Sequence, residues 1–488
     1  MSMKILINAV DPEECRVAIV KENRLEEFYI ESTAREITQG NIYKGIITRI
    51  EPSLQAVFVD YGAERHGFLQ KHEIHSDYFQ DLNSSDRDIK KIVKHGQELL
   101  VQVTKEPFMK KGAMLTTFIS LAGRYLVLMP GSETKGISRK IEDEAERNRL
   151  KELIDSLKLP DDFGVIIRTV GQDCNKTLLA RDLRYLLRLW KTIKGSVMKQ
   201  KAPALIHKER QLVLRSIRDY FTPDVREILI DDAAVYHEVR TFLKIISHKH
   251  AQLVKHYKGA KPIFTKFELE DQIASIYENQ VKLKSGGSIV IAQTEALVSV
   301  DVNSGKSTHE RSVEQTAYLT NLEAAEEIAR QLRLRDLGGL IVIDFIDMKD
   351  VKHRSEVERK LRSHVKEDRA RATVGRISRF GLLEMSRQRI RPSIEFGSYQ
   401  PCKYCKGKGL VPSPETLGIG FLRKLSLEIL KEEISYVKGI VPSEVADYLL
   451  NKKRKEIVEL EHRRNLSIEI ERDSTMTPGE SKIIYKEP

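Results

Sequence analysis

A multidomain α/β protein that includes a small β-barrel is the fold class this sequence predicts, and three observations predict it. The 488 residues are 41% apolar, enough for about three cores of ordinary domain size. Residues 40 to 70 alternate in period two between turn residues, the pattern of short barrel strands. Residues 277 to 348 read strand, helix, strand, a crossover long enough to make its two strands parallel. The chain contains no internal repeat and no low-complexity tract.

The elements follow in order. KILINAV, CRVAIVKENR and LEEFYIE are period-two runs with little helical character, so residues 1 to 35 read as part of a sheet. GNIYKGIITRIEPSLQAVFVDYGAERHGFLQ gives three strands broken by Glu51-Pro52-Ser53, Gly62 and Gly67, and ELLVQVTKE with GAMLTTFISL would close the barrel near residue 118. From 119 to about 208, strands in RYLVLMP and FGVIIRTVG mix with the charged helices IEDEAERNRLKELIDSL and LARDLRYLLRLWKTIKGS, a separate α/β unit. LVLRSIRDYF, EILIDDA, VYHEVRTFLKII and EDQIASIYENQV continue a mixed pattern to about 276. The crossover helix, over roughly 312 to 335, has an apolar face of Leu319, Leu322, Ala325, Ile328, Ala329 and Leu332, and Gly338-Gly339 marks its end. From 413, a helix and a strand-helix-strand run form a small terminal domain.

Lys and Arg total 82 against 71 Asp and Glu, a net charge of +11. That favours an anionic partner, nucleic acid ahead of membrane. The N-terminus MSMKILINAV lacks the basic region and long apolar core of a signal peptide, and no run approaches the roughly 18 apolar residues of a membrane span. Cys15 and Cys174 are isolated while Cys402 and Cys405 form a C-x-x-C, which fits a reduced, cytoplasmic compartment better than a disulfide scaffold.

LVSVDVNSGKST, residues 297 to 308, ends in the Gly-Lys-Ser of a phosphate-cradling loop. Such a loop needs a first glycine five positions before Gly305, where this chain has Val300, so the nucleotide-loop reading fails. The stretch is instead an alternating strand with Val298, Val300 and Val302 on one face and Asp301 and Asn303 on the other. Ligands of parallel sheets bind at the carboxyl ends of strands, and Asp344 in GGLIVIDFIDM stands at the corresponding point of the next strand. Two carboxylates with an amide suit Mg²⁺, a hard ion that takes oxygen ligands and serves phosphodiester hydrolysis. Asn303 would position the scissile phosphate, and Asp347 is a rival ligand; acidic strand ends that only cap or pair are the alternative. Phe58 and Phe68 flank the DYGAERHG turn, where rings on an open barrel face could stack unpaired bases, with Lys44, Arg65 and Lys111 near the backbone path. Packing of both rings in the core is the other reading.

These runs resemble the ribonuclease E/G family over almost the whole chain. NIYKGIITRIEPSLQAVFVDYGAERHGFL resembles the family's S1 RNA-binding domain, TEALVSVDVNSG and NLEAAEEIARQLRLRDLGGLIVIDFIDM its catalytic core, and DRARATVGRISRFGLLEMSRQR continues the likeness. The resemblance implies an RNase H-like domain made of residues 1–35 and 209–276, interrupted by an S1 (OB-fold) barrel at 36–118 and a 5′-sensor at 119–208. A DNase I-like catalytic domain at 277–398, a zinc-link at 399–412 and a small α/β domain at 413–488 would follow. It makes Asp301 and Asp344 the Mg²⁺ ligands and Asn303 an orienting residue. In the sensor it points to Arg168 and Thr169, with Gly123 and Val127, as a pocket for an RNA 5′-monophosphate, where a guanidinium forks onto phosphate and a hydroxyl adds a donor. Arg139 and Arg371 would be further RNA contacts.

PCKYCKGKG resembles the family's zinc-link, in which Cys402 and Cys405 from each of two chains share one zinc; two thiolates are half of a tetrahedral set. A homodimer, or a tetramer of paired dimers, is therefore expected, although Lys403 stands where the family usually has proline. The implied activity is Mg²⁺-dependent cleavage of single-stranded RNA to 5′-phosphate and 3′-hydroxyl ends, preferring 5′-monophosphorylated RNA, in rRNA and tRNA processing and mRNA decay. A non-catalytic S1-type RNA-binding protein is the alternative. The long disordered tail of some family members is absent from these residues, which fits either a compact member or a longer one whose tail lies beyond residue 488.

Overall fold

The strands at the N-terminus find their partners late in the chain. Met3–Asn8 lies between Glu14–Lys21, antiparallel to it, and Val225–Ile230, parallel to it; Arg24–Ser32 and Val254–His256 form the edges of this five-stranded sheet. Period-two alternation gives it two apolar faces. Ile5, Ile7, Val17 and Ile19 pack with Ile217, Val239 and Leu243 of two helices on one side. Leu6, Ala18, Val20 and Phe28 pack with Ile263, Phe264 and Ile276 on the other.

A computed structural model describes residues 3–32, 38–80, 89–107, 112–209, 212–222, 224–246, 248–305, 312–391, 393–394, 399–400, 402–430 and 434–486. Two units form: Met1–Gly397 and Ser398–Pro488.

The predicted barrel is present. Ile42–Glu51, Ala56–Asp60, Gly67–Gln70, Met114–Thr116 and Glu98–Lys105 pair in that order, and Ile42–Glu51 returns to pair with Glu98–Lys105 and close the ring. Ile47, Val57, Val59, Leu69, Leu99, Val101 and Leu115 fill it. Ala204–His207 adds along Ile42–Glu51, a pairing that the local pattern did not announce. A four-stranded sheet follows, in the order Lys135–Ile137, Phe163–Ile167, Leu126–Pro130, Leu121–Ala122, backed by the helices Glu144–Asp155 and Lys176–Lys199.

Gln280–Lys282, Ser288–Gln293, Leu297–Asn303, Gly339–Asp344, Leu382–Arg387 and Ala372–Ile377 form a six-stranded sheet in that spatial order. Leu297–Asn303 and Gly339–Asp344 run parallel, joined by the helix Val313–Leu334. That helix and Val351–Lys366 cover one face, where Val298, Val300, Val302, Ile341, Ile343 and Leu383 meet Ala324, Ile328, Leu332, Val357 and Leu361. The opposite face exposes Asp301, Asn303, Leu340, Asp344 and Glu384. Leu319, expected on the buried face, is 40% exposed, and the buried stripe instead runs through Ala317, Thr320, Asn321 and Ala324. The helix meets the sheet with small and polar residues at its N-terminal half, so the purely apolar stripe was phased slightly off. Gly338 and Gly339 sit past the helix end, with Gly339 opening the strand at φ +103°.

In the second unit, Tyr436–Pro442 pairs parallel with Ser467–Asp473 and antiparallel with Lys482–Lys486, and Phe421, Leu425, Val437, Val441, Ala446 and Leu449 form its core. Among the described residues, no helix is long and apolar enough to cross a membrane.

Candidate functional site

Strand geometry brings the two predicted aspartates side by side. Asp301 and Asp344 are register partners across the parallel pair, so their side chains leave the same open face at the carboxyl end of the sheet. The three valines that alternate with Asp301 and Asn303 are buried beneath, which leaves those two polar side chains in solvent. Asn303 Nδ2 donates to Asp301 Oδ2 at 2.8 Å, holding the carboxylate in one orientation. Partial burial, then the charges of Asp301 and Asp347, push the Asp344 carboxyl above its usual range. Among the described residues no group of three or more His, Cys, Asp or Glu side chains is gathered closely enough to hold a metal unaided. A pair of carboxylates is the number Mg²⁺ commonly takes from protein when waters and substrate phosphates supply the rest.

The segment after Asp344 is held from the crossover helix. Asn321, fully buried, donates through Nδ2 to the Ile346 carbonyl at 2.8 Å and accepts from the Ile346 N–H at 3.1 Å. About two turns nearer the helix N-terminus, Glu314 accepts from the N–H groups of Lys349 (3.0 Å) and Asp350 (3.2 Å) and lies 2.9 Å from His353 Nδ1. The Lys349 amide, His353 and the Asp350 amide hold its carboxyl down to about 2. Phe345 and Met348 anchor the same segment in the core. Sequence reading missed Glu314 and Asn321; a polar Asn inside the helix's buried stripe was the available signal.

On the barrel, Phe58 and Phe68 are register partners whose rings meet edge to face, centroids 5.7 Å apart. Neither joins the barrel core, so the pair stands on its outside, with the Arg49 guanidinium 4.3 Å from the Phe58 ring centre. Lys44 is tied to Glu98 at 2.8 Å and to the Gln200 carbonyl at 3.1 Å. Arg65 is exposed in the turn between the two phenylalanine strands. Lys111 lies outside the described residues.

In the four-stranded region, Arg168, Gly123 and Thr169 come together. Arg168 donates to the Gly123 carbonyl at 2.6 Å and to Asp219 Oδ1 at 2.7 Å, while Thr169 Oγ1 lies 2.9 Å from Ser138 Oγ. Gly123 is required sterically: a Cβ there would stand 2.5 Å from Asp182 Oδ2. Asp182 in turn accepts from the N–H groups of Arg124, Tyr125 and Leu126 and shapes that turn. Val127 is half-buried in the next strand, opposite Ile166. Burial would raise the Asp219 carboxyl, but Arg218, Arg168 and Arg369 outweigh it and hold the group well below the carboxylate range. Arg168 is thus a preoriented cation with two of its five N–H donors committed. Arg139 is exposed beside Ser138, and its neighbour Lys140 donates to the carbonyls of Asp368 and Ala370, next to exposed Arg371. That contact brings the segments carrying Arg139 and Arg371 together.

In the second unit, Cys402 and Cys405 lie in a knuckle. The Lys406 N–H bonds to the Cys402 carbonyl at 2.8 Å and the Lys408 N–H to the Cys405 carbonyl at 2.9 Å, with Lys406, Gly407 and Gly409 in left-handed conformations. The N–H groups of Gly409 and Gly407 favour a charged sulfur and hold the Cys405 thiol below its ordinary value, the electrostatics of a metal-binding thiolate. All four cysteines are free.

Residues 120–390 match the family model described as the ribonuclease E/G family, residues 36–117 that of the S1 RNA binding domain, and residues 401–486 that of the RNase E/G thioredoxin-like domain. The chain is 50% identical over 468 residues to ribonuclease E of Haemophilus influenzae, covering 95% of this chain and 50% of that protein. It is 49% identical over 466 residues to ribonuclease E of Escherichia coli, covering 95% and 44%. To ribonuclease G of Escherichia coli it is 39% identical over 430 residues, covering 87% and 88%. The chain therefore spans about half the length of the ribonuclease E relatives and most of the length of ribonuclease G.

Proposed function

The chain belongs to the ribonuclease E/G family, and from that premise we propose that it is a Mg²⁺-dependent endoribonuclease that cleaves single-stranded RNA. The observation that carries the proposal is the adjacency of Asp301 and Asp344 at the carboxyl end of two parallel strands, with Asn303 bonded to one of them. The donor set fits the ion: oxygen ligands only, and like charges whose mutual repulsion a cation relieves. Asp301 and Asp344 would hold Mg²⁺, which when bound polarises a phosphoryl oxygen and acidifies a water, leaving 5′-phosphate and 3′-hydroxyl ends. Asn303 fixes Asp301 through one N–H, and its amide carries a second N–H that can hold a phosphate oxygen.

The barrel would grip unpaired RNA through Phe58 and Phe68, each base stacked on an aromatic ring contributing about 1–3 kcal/mol. Arg168 and Thr169, framed by Gly123 and Val127, would read a 5′-monophosphate, and Arg139 and Arg371 would meet the RNA backbone. The RNase H-like, S1, 5′-sensor, DNase I-like, zinc-link and small-domain division is supported by the shared N-terminal sheet and the closed barrel. Cys402 and Cys405, with the same pair from a second chain, would complete a zinc site and make the protein a homodimer, or a tetramer of such dimers, in the reducing cytoplasm. RNA processing and mRNA decay are the roles this activity serves.

Incubation of the protein with a short 5′-monophosphorylated single-stranded RNA, with and without Mg²⁺, is the test. Asp301→Asn and Asp344→Asn should each abolish cutting while RNA binding persists. Near-wild-type cutting by both variants defeats the site, and metal-independent binding without cutting by the wild type favours a binding module.

A further inference from the structure

The hairpin between Ala372–Ile377 and Leu382–Arg387 ends in a turn, Ser378 to Gly381, that presents one large ring to solvent. Phe380 is 71% exposed. The Gly381 N–H bonds to the Ser378 carbonyl at 3.1 Å and the Phe380 N–H to Ser378 Oγ at 3.2 Å, so the turn is a closed and defined one. Gly381 takes φ +82°, and a Cβ there would come 3.1 Å from Asp347 Oδ1, so the turn lies against the third carboxylate of the site. Leu382, the first residue of the outgoing strand, is the register partner of Asp344. Phe380 therefore stands in the turn, two residues along the chain from the strand position beside Asp344.

An exposed phenylalanine contributes little to the fold, since burial is what makes the ring stabilising. The surroundings give it another use. The Arg379 guanidinium carbon is 4.8 Å from the ring centre, and Arg376 is exposed on the incoming strand. Asp301, Asp344 and the nearby Asp347 are negatively charged, and any RNA approaching the site meets their repulsion; two arginines on the hairpin offset that charge at its rim. A flat ring beside them offers a base-stacking surface that tolerates every base.

We propose that Phe380 is a base-stacking platform for the nucleotide flanking the scissile phosphate, with Arg379 and Arg376 on the adjoining backbone. This rests on the endoribonuclease reading and deepens it by adding a substrate-contacting residue at the cleavage site, apart from the barrel pair. The ring binds a base and takes no part in bond breaking.

The test uses the full chain and single-stranded RNAs with one cleavage site, intact or with an abasic nucleotide at each position flanking that site, cut by wild type, Phe380→Ala and Phe380→Trp. Phe380→Ala should lower kcat/KM on intact RNA about 5- to 150-fold, the factor that one stacked base is worth, and Phe380→Trp should restore it. At one flanking position the abasic nucleotide should lower the wild-type value by a similar factor and the Phe380→Ala value no further. An unchanged kcat/KM in Phe380→Ala, or an equal abasic penalty in both proteins at every position, overturns the proposal. Absence of cutting by the wild type would instead fail the endoribonuclease reading, and stacking is then decided by RNA carrying 2-aminopurine at the same positions: quenching by wild type that Phe380→Ala loses supports the platform, and equal quenching overturns it.

Discussion

Replacing Asn321 with Leu should loosen the site from behind, without touching any group that would meet RNA. Leucine keeps the branched outline of asparagine, though its two methyl groups are bulkier than the amide, and the Ile346 N–H and C=O lose their partners at 3.1 and 2.8 Å. A polar group left buried and unpaired costs about 1–3 kcal/mol, so the two together cost about 2–6 kcal/mol if the segment stays in place. It can escape by opening to water, which gives up the burial of Phe345 and Met348 at about 1.5–3 kcal/mol each. The two routes are of similar size, so the closed state should lose at least about 2 kcal/mol, roughly a 30-fold rise in local opening. Hydrogen exchange followed by mass spectrometry reads this directly: amides of residues 346–350 should exchange about 30-fold faster or more, while the N-terminal strands, as internal control, stay unchanged. Because the segment begins just after Asp344 and carries Asp347, the Mg²⁺ concentration for half-maximal cleavage should rise more than the KM for RNA. Unchanged exchange at 346–350 together with an unchanged Mg²⁺ requirement would refute the clamp.

Two further outcomes follow from the same geometry. RNA with a 5′-monophosphate should be cut faster than the same RNA with a 5′-hydroxyl, and Arg168→Ala should narrow that ratio; a ratio that stays the same removes Arg168 from phosphate sensing. Metal analysis with sedimentation should find about one zinc per two chains, because one C-x-x-C supplies half of a tetrahedral set. Cys402→Ser with Cys405→Ser should release the metal and weaken the dimer, whereas a wild-type monomer would sink the shared site.

Much of the site could be read from local pattern because local pattern is where its information lies. Side chains alternate across a strand with period two whatever the strand's neighbours, so LVSVDVN already separated its valines from Asp301 and Asn303. The length of the crossover made the next strand parallel, which set Asp344 at the same end. A reading of Phe58 and Phe68 could go no further than the choice between core and surface, since both lie in strands with a buried and an open side; the packing of the barrel decided for the surface.

What the sequence by itself determined was therefore the set of elements, the barrel, and the faces of the strands that carry the aspartates. Tertiary structure alone decided which distant residues meet. Val225–Ile230 completes the N-terminal sheet, Ala204–His207 joins the barrel, Asp219 takes up Arg168, and Gly381 comes to rest against Asp347. Hydrogen-bonding edges and charges are alike in every strand and every arginine, so no local period names their partners. The choice is made when the whole core closes and leaves most buried polar groups one arrangement that satisfies them. Asn321 is the clearest case: in the helix it is one polar residue among apolar ones, and only the packed sheet puts the Ile346 backbone where that amide can hold it.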